Sequence, residues 1–268
     1  MTYSSLLHHV EKQVQQVAAY QMDNFRKLPP GSGTAKIARE YVSEVDLTSE
    51  RMLIDGLAKL LPEAGFHGEE SGRKGQSACR WVIDPLDGTT NYLSGLEQFS
   101  ISVALYTDSR CQLGVVLRPA SQEIFSASRG DGLHHNGVPA RPPAKDLPLS
   151  AALIGTGFPY RSPDQATSFF ACARDVLYAS RGLRRFGSAA LDLCYVATGQ
   201  LQGFWESDLQ PYDVAAGLLF LEESGCLISN QMGTPYRPEE DRVLVCAPAQ
   251  THHELLAIVA RHYRWMNR

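Results

Sequence analysis

The stretch that decides the fold reads Trp81-Val82-Ile83-Asp84-Pro85-Leu86-Asp87-Gly88-Thr89-Thr90-Asn91-Tyr92. Its first three residues form a short apolar run, which is typical of a buried strand. Two carboxylates follow, Asp84 and Asp87, and the proline between them favours extended backbone geometry. Gly88 lets the backbone approach a ligand closely, and the polar residues after it suit the start of a helix. Because the free amides of a helix start attract phosphate, the stretch offers anions for a cation and amides for an anion.

The residues alone leave two interpretations of this stretch open. In one, it is a surface turn that binds nothing. In the other, a hard divalent metal ion bridges the two carboxylates and a phosphate ester, which satisfies both kinds of group at once.

The length and composition of the chain fit a globular protein. With 268 residues, of which 44% are hydrophobic and 20% charged, it can bury a large core. The formal net charge of −4 gives no electrostatic reason to expect a nucleic-acid partner. No apolar run reaches the length of a membrane span, and the six cysteines are far apart and expected to be reduced. We therefore expect a cytoplasmic protein without a membrane partner.

Four segments of the chain resemble the inositol monophosphatase family of the Mg²⁺-dependent, Li⁺-sensitive sugar phosphatase superfamily. Asp84–Asn91 matches the signature Asp-Pro-x-Asp-Gly-Thr-x-Asn in full, and Trp205–Gly217 contains the Asp-x-Ala-Ala-Gly core of the second signature. Arg184–Asp192 is similar to the segment that borders the polyol, and Phe66–Ser71 supplies an acidic pair. The resemblance spans nearly the whole chain. It implies an α+β fold with α/β character, layered as an αβαβα sandwich, and usually a homodimer.

The hydrophobic pattern predicts one domain over 1–268 with two possible halves. Residues 1–146 begin with two helical segments, separated by a loop at Pro29–Gly33, and continue as an antiparallel meander of strands. Residues 147–268 alternate strands with helices, which is typical of a layered α/β half. The seam between the halves, at 141–146, is too short to establish independent domains.

The resemblance implies a metal site built from oxygen ligands, namely Glu69, Asp84, the carbonyl of Leu86, Asp87 and Asp213. Without cations, each close pair of these acids would repel by roughly 4 kcal/mol at about 4 Å and an effective dielectric near 20. A set without histidine or cysteine favours Mg²⁺ over zinc, so we expect two or three Mg²⁺ ions, with Mn²⁺ as a substitute. The alternatives are a functionless acidic loop at Glu69 and a helix-dipole role for Asp213 in the first turn of its helix.

The resemblance also implies the catalytic groups. Asp46 matches an aspartate close to the attacking water, and a helix cap is the alternative use of Asp46 or Ser43. In the expected mechanism Glu69 helps to hold the water-activating metal, while Asp46 and the hydroxyl of Thr89 orient and deprotonate the water. Glu70 follows Glu69 on a strand end, points the opposite way and is expected in a supporting position.

Substrate contacts follow from the same resemblance. The expected contacts are Asp87, the amides of Gly88 and Thr89 with the phosphate, the backbone of Ala189, Glu206 with a substrate hydroxyl, and Arg185. Tight packing is the alternative explanation of the small residues around Ala189. Arg185 is a weaker candidate, because a basic pair usually lies on a solvated face.

The resemblance therefore implies an enzyme of the inositol-1-monophosphatase type. Its substrate would be a small phosphate monoester, inositol 1-phosphate or a related polyol monophosphate, and Li⁺ would inhibit it. The same chemistry on adenosine 3′,5′-bisphosphate, fructose 1,6-bisphosphate or histidinol phosphate is an alternative. A different class is a regulatory relative that binds RNA or polymerase, since some bacterial relatives are associated with RNA processing or transcription.

Overall fold

The computed structural model describes residues 3–27, 33–37 and 40–263, without the side chains of residues 35–41. The loop predicted at Pro29–Gly33 lies outside the described residues, apart from Gly33. The helices are α1 (Tyr3–Asn24), α2 (Glu44–Leu60), α3 (Thr89–Leu93), α4 (Ala166–Ala179), α5 (Ala189–Ala197), α6 (Pro211–Glu223) and α7 (Ala249–Tyr263), with short 3-10 turns at Leu149–Ala151 and Pro163–Gln165.

The strands divide at the middle of the chain. The first group is β1 (Thr34–Ile37), β2 (Glu40–Val42), β3 (Gly65–Gly68), β4 (Gly72–Lys74), β5 (Cys79–Asp87), β6 (Ser100–Thr107), β7 (Arg110–Arg118), β8 (Glu123–Ser128), β9 (Leu133–His135) and β10 (Val138–Pro139). The second is β11 (Leu153–Thr156), β12 (Gly182–Arg184), β13 (Gly203–Ser207), β14 (Leu227–Ser229) and β15 (Val243–Ala247).

The large sheet has the strand order β10-β9-β8-β7-β6-β5-β3-β4. Strands β5 to β10 form the predicted antiparallel meander, and β3 joins β5 in parallel. Alternate residues of β5 face opposite layers, as the pleat requires. Trp81 and Ile83 pack with α1 and α2, whereas Val82 packs with α5 and α6.

The small sheet has the order β12-β11-β13-β15-β14. Its Phe204 and Cys246 pack against α5 and α6, and its Trp205 and Val245 pack against α4 and α7. The layers are therefore α1 and α2, large sheet, α5 and α6, small sheet, α4 and α7. This arrangement confirms the predicted αβαβα sandwich. The sheets change over between β10 and β11, near the predicted seam, and the independence of the halves stays a prediction.

One local prediction needs correction. The central strand is longer than the apolar run Trp81–Ile83 indicates, because β5 runs on through Pro85 to Asp87. Its pairing with β6 shifts register between Asp84 and Asp87, which accommodates a proline that has no N–H to give the ladder. In the second half, β15 pairs antiparallel with both β13 and β14.

Two further features bear on the sequence analysis. Across the described part of the chain, the helices are too short or too polar for any of them to cross a bilayer. All six cysteines are free, and five of them are buried, as expected for reduced cysteines in apolar segments.

Candidate active site

One cavity of about 160 Å³ opens where the end of β5 meets the N-terminal ends of α3, α5 and α6. It is lined by Glu69, Asp84, Leu86, Asp87, Gly88, Thr89, Thr90, Asn91, Thr156, Gly157, Phe158, Tyr160, Arg161, Arg185, Gly187, Ser188, Ala189, Glu206, Ser207, Leu209 and Asp213. The structure thus brings together all of the predicted metal-binding and substrate-binding residues, although they span the chain from the first third to the last quarter. Their functional roles stay predictions.

Asp84 is the most buried acid of the cavity, with only 2% of its surface exposed. The amide of Leu86 donates to its Oδ1 at 3.0 Å, which fixes the carboxylate across the turn at Pro85. Burial, followed by the charges of Glu69, Asp87 and Asp213, raises the pKa of Asp84 well above its usual range. A hydrogen bond between the Asp84 and Glu69 side chains acts in the same direction. The cavity therefore favours protons or cations at this point.

Asp87 is held by the beginning of α5. Its Oδ2 accepts a hydrogen bond from Ser188 Oγ at 2.6 Å and another from the amide of Ala190 at 2.8 Å. Burial and the charge of Asp213 raise the pKa of Asp87 to about 6, although these donors lower it. Because the two elements come from different halves of the chain, this contact locks the halves together at the site.

The Asp213 side chain makes two contacts at the start of α6. It occupies the third helical position of a capping box, and its Oδ2 accepts from the amide of Gln210 at 2.7 Å. The same oxygen accepts from Arg161 Nη1 at 2.8 Å, in an ion pair whose Asp213 side chain is 8% exposed. The helix-start alternative for Asp213 is therefore correct as a description, and both of these donors contact the same oxygen, Oδ2.

Asp46 lies just behind the cavity and occupies the helix-cap position that was the alternative interpretation, while its catalytic role stays a prediction. In a capping box at the start of α2, it accepts from the amide of Ser43 at 2.8 Å. Its other oxygen accepts from Thr89 Oγ1 at 2.9 Å, and this hydroxyl also lies 3.1 Å from the carbonyl of Leu86. Burial raises the pKa of Asp46 in spite of these hydrogen bonds. A fully buried carboxylate is thus joined to the cavity through one hydroxyl.

Gly88 connects Asp87, at the end of β5, to the first residue of α3. Its φ of 93° lies in the left-handed region, and a Cβ at this position would come within 3.0 Å of the carbonyl oxygens of Gln98 and Gly187. A residue with a side chain would therefore strain the backbone and clash with it. The glycine lets β5 turn directly into α3, which presents Thr89 to the cavity.

The wall opposite β5 carries Glu206, Arg185 and the backbone of Ala189. Burial and the charge of Asp213 raise the pKa of Glu206 to about 8, while Arg185 lowers it. The Arg185 guanidinium lies 5.2 Å from the ring centres of both Phe158 and Tyr160. Arg185 thus lines the cavity with its guanidinium over aromatic rings, and it remains an exposed side chain.

Glu70 lies outside the cavity lining. Its amide donates to Glu50 Oε2 at 2.9 Å, and Glu50 is a buried carboxylate with 3% exposure. The same Glu50 side chain leaves room only for glycine at Gly68, where a Cβ would come within 2.3 Å of Oε2. Glu50 therefore positions the acidic loop through its contacts with Gly68 and Glu70. The sequence analysis did not predict this role of Glu50.

The sequence model of the inositol monophosphatase family matches residues 4–264, and residues from both signature segments line the cavity. The chain belongs to this family. An inositol-1-monophosphatase of Rhizobium meliloti is 41% identical over 224 residues, covering 83% of this chain and 84% of the relative. The Nus factor SuhB of Pseudomonas aeruginosa is 42% identical over 205 residues, covering 74% of this chain and 75% of that protein.

A solved structure gives the same result for the fold. The extragenic suppressor protein SuhB of Bartonella henselae superimposes with a TM-score of 0.89 at 30% identity, covering 95% of this chain and 98% of that one. Membership of the inositol monophosphatase family supports a phosphatase activity for this chain.

This inositol monophosphatase family member offers only oxygen donors that suit a hard cation such as Mg²⁺. Protein donors hold one carboxylate oxygen of each aspartate, at Asp84, Asp87 and Asp213, which sets the direction of the other. Among the described residues, no three acidic, histidine or cysteine side chains already form a cluster around one point. The donor chemistry therefore fits Mg²⁺, and side chains would move to close around it.

Sequence reasoning missed three cavity features of this family member. Arg161 pairs with Asp213, Ser188 holds Asp87, and Gly157 packs against Glu206 so closely that a Cβ would come within 1.9 Å of the carboxylate. Arg161 and Gly157 belong to the segment that directly follows β11. Polar residues and glycines after a strand of an α/β half were the available signal, because loops at strand ends carry many binding sites.

Proposed function

We propose that the chain is a Mg²⁺-dependent phosphomonoesterase that hydrolyses inositol 1-phosphate or a related polyol monophosphate. One observation carries the proposal. The carboxylates of Glu69, Asp84, Asp87 and Asp213 line a single cavity, and a hydroxyl joined to a buried carboxylate lies beside them. Mn²⁺ would substitute for Mg²⁺, and Li⁺ would compete with it.

The cation, when bound, would supply charge neutralisation and a water of lowered pKa. The ligands would be Glu69, Asp84, Asp87 and Asp213, with the carbonyl of Leu86. Because Asp84 and Asp87 have raised pKa values, cation binding would displace protons from them.

The protein's own residues would handle the proton of the attacking water. Thr89 Oγ1 donates to Asp46 Oδ1, so its oxygen can accept a hydrogen bond from a water in the cavity. Asp46 is buried and can take up the proton that passes through this hydroxyl, as a general base. The hydroxyl fixes the direction from which water approaches the phosphorus.

The phosphate and its polyol would lie across the cavity. The amides of Gly88 and Thr89 would hold phosphate oxygens at the N-terminal end of α3, while Asp87 orients the ester. Glu206 and the backbone of Ala189 would bind hydroxyls of the polyol on the opposite wall. Arg185 would add positive charge to the cavity lining, where its guanidinium lies over two aromatic rings.

A phosphate-release assay tests this proposal. The substrates are inositol 1-phosphate, fructose 1,6-bisphosphate, adenosine 3′,5′-bisphosphate and histidinol phosphate, each with Mg²⁺, with Mn²⁺ or with EDTA. We expect turnover that needs the cation, is inhibited by Li⁺ and is fastest on inositol 1-phosphate. Cation-independent turnover, or none on any substrate, would contradict it.

A nucleotide substrate is a second candidate that one observation favours. Phe158 and Tyr160 line the cavity and are about one third exposed, at 37% and 38%. Such rings can stack on a planar base, as on adenosine 3′,5′-bisphosphate. Faster turnover of this compound than of inositol 1-phosphate, lost in Phe158→Leu, would favour the nucleotide.

A regulatory role is the alternative of another class, since a relative is named Nus factor SuhB. The formal net charge of −4 does not favour RNA. Capture of RNA or polymerase by the Asp84→Asn variant would show a role that is independent of catalysis. Action in the cytoplasm stays a prediction in either case.

We also propose a homodimer. Three large apolar side chains on α4 are exposed, namely Phe170 at 61%, Leu177 at 52% and Tyr178 at 83%. Residues seven and eight positions apart lie on one helix face, so a second copy could bury them. Light scattering on the wild type should give the mass of a dimer, and Tyr178→Glu should shift it toward the monomer. A monomeric wild type would contradict the proposal.

A further inference from the structure

A second cavity, larger than the first, lies between the large sheet and α6. Its volume is about 600 Å³, in the range of small-molecule sites. One face of α6 forms a wall through Pro211, Ala215, Leu218 and Glu222, which follow one another at helical spacing. The segment 236–240 forms part of its rim. None of the residues assigned to the active site lines this cavity.

The charges around this second cavity favour an anion. Four arginines line it, against three glutamates, and these glutamates already pair with arginines. Glu222 lies 2.8 Å from Arg129, Glu240 lies 2.6 Å from Arg237, and Glu239 lies 3.6 Å from Arg80. A cationic ligand would meet carboxylates that are already neutralised. A guanidinium group that pairs with a glutamate, in contrast, has further N–H donors for a second anion.

Arg80 is the best-placed anion-binding group. Its guanidinium lies 5.7 Å from the ring centre of Tyr106, and its side chain is 28% exposed. Its Nε is buried and has no hydrogen-bond partner in the described structure, which is a costly state for a donor. An anion that drew the guanidinium toward the cavity would give this donor a partner.

The rest of the lining favours a flat apolar body on the ligand. Tyr106 and Tyr236 contribute aromatic surface, and Leu218 and Leu219 contribute aliphatic surface. A planar ring system placed beside the arginine-stacked Tyr106 would bury apolar area while its charged group reached Arg80.

The second cavity also contacts the elements that carry the predicted metal ligands. His67 lines it and packs edge-on against Tyr212, with ring centres 6.1 Å apart. His67 lies two residues before Glu69, and Tyr212 immediately precedes Asp213. A ligand that moved either ring would shift the positions of those carboxylates.

We propose that this second cavity binds a small organic anion with a flat apolar body, and that its occupation is coupled through His67 and Tyr212 to cation binding in the active site. The binding half stands independently of the proposed function. The coupling half rests on that function, because it requires a cation at Glu69 and Asp213.

Calorimetric titration of the whole chain with 2-naphthoate tests the binding half. This probe has a carboxylate on a flat ring system and no phosphate to be hydrolysed; 2-naphthylmethanol and cyclohexanecarboxylate are the matched ligands without the charge and without the flat rings. We expect one saturable site for 2-naphthoate, and affinity at least about tenfold lower in Arg80→Gln. Both matched ligands should bind more weakly than 2-naphthoate.

Arg73→Gln is the control variant. Arg73 pairs with the same Glu239 but does not line the cavity, and it is 54% exposed. Its affinity for 2-naphthoate should equal that of the wild type. The binding half would be overturned by an equal loss of affinity in both variants, by saturable binding that is unchanged in Arg80→Gln, or by the absence of saturable binding. An unfolding curve for Arg80→Gln, matching the wild type, shows that the variant is folded.

The coupling half needs one more titration. The affinity for 2-naphthoate is measured with Mg²⁺ and with EDTA, and linkage requires the affinity for Mg²⁺ to change by the same factor when 2-naphthoate is present. We expect a change of at least about threefold, within the usual range of such couplings. A factor of one, with binding intact, would overturn the coupling alone, and wild-type protein that binds 2-naphthoate but lacks Mg²⁺-dependent phosphatase activity would overturn the proposed function alone.

Discussion

The two walls of the active-site cavity differ in how their acids are neutralised. The acidic wall comprises Glu69, Asp84, Asp87 and Thr89, and the described residues from the first half that line the cavity include no arginine or lysine. The mixed wall comprises Arg161, Arg185, Glu206 and Asp213 from the second half.

On the mixed wall, Asp213 pairs with Arg161, whereas burial and the charge of Asp213 raise the pKa of Glu206 to about 8 in spite of the nearby Arg185. On the acidic wall, neighbouring carboxylates raise the pKa of Asp84. The acidic wall therefore needs a proton or an external cation, whereas the mixed wall supplies an arginine to Asp213 and keeps a proton on Glu206 near neutral pH. We expect the acidic wall to supply most of the predicted cation ligands, with Asp213 as the one carboxylate ligand from the mixed wall, where Glu206 would contact the leaving alcohol. Four experiments test this difference.

The largest effect is expected on the acidic wall. Asp84→Asn removes a charge from the centre of the predicted metal site, so Mg²⁺-dependent phosphate release should fall by about 1000-fold or more. Asp192→Asn is the matched control, because Asp192 is equally buried, at 1% exposure, has a raised pKa, and does not line the cavity. That variant should keep activity within about threefold of the wild type, as a neutral acid and its amide are similar in shape. Unchanged turnover in Asp84→Asn would remove the distinction between the walls.

The second effect is the pH dependence of cation binding. Asp87 has an unfolded-state pKa of 3.8 and a folded-state pKa of about 6, so the metal-free protein holds its proton at pH 5. Mg²⁺ affinity should therefore fall by about tenfold per pH unit below 6, with proton release that calorimetry in two buffers detects.

The stability of the metal-free protein also depends on the protonation of Asp87, and it changes with pH in the opposite direction to the Mg²⁺ affinity. A raised folded-state pKa stabilises the metal-free protein below about 3.8, and this contribution is lost as pH rises through about 6. The Mg²⁺-induced rise in Tm should thus be larger at pH 7.5 than at pH 5. A rise that is equal at both values would show that Asp87 does not bind the cation.

The third effect concerns the mixed wall. A methyl group at Gly157 would come within 1.9 Å of Glu206, so Gly157→Ala should displace that carboxylate and raise KM by about tenfold with little change in kcat. Gly155→Ala, two residues earlier on β11, is the control, since its Cβ would meet Leu201 at 2.8 Å rather than a cavity acid. Steady-state kinetics on inositol 1-phosphate separates the two parameters. A loss confined to kcat would place Glu206 in the chemical step instead.

The smallest effect is expected for Arg161, the cationic side chain that pairs with Asp213 on the mixed wall. Arg161→Gln removes the positive charge from Asp213, so Mg²⁺ should bind about fivefold more tightly, because a competing cation has gone. The metal-free protein should lose about 1–2 kcal/mol of unfolding free energy, because Asp213 then lacks its partner.

Arg174→Gln serves as the comparison for Arg161→Gln, since it removes an ion pair from a side chain that is 65% exposed. It should change neither quantity measurably. Calorimetry with Mg²⁺ and thermal unfolding in EDTA give both numbers. Weaker Mg²⁺ binding in Arg161→Gln would mean that Arg161 supports the cation site rather than competing with it.

Much of the site followed from short-range pattern. The Asp84–Asn91 segment specifies its own geometry, because a proline and a glycine restrict the chain on either side of Asp87. The capping positions of Asp46 and Asp213 were equally visible, since helix starts have local signals. Similarity to a known family then grouped these segments, which their order along the chain could not do.

What local pattern could not give is the partner of each group. Asp46 and Asp213 occupy the same position in two capping boxes, yet one faces Thr89 and the other Arg161. The sequence by itself determined the local elements, because hydrophobic period and turn chemistry act over a few residues, and its resemblance to a known family implied the layered fold and the acids of the site. Only the tertiary structure decided which acids are paired internally and which wait for a cation, since pairing depends on side chains that approach from distant parts of the chain.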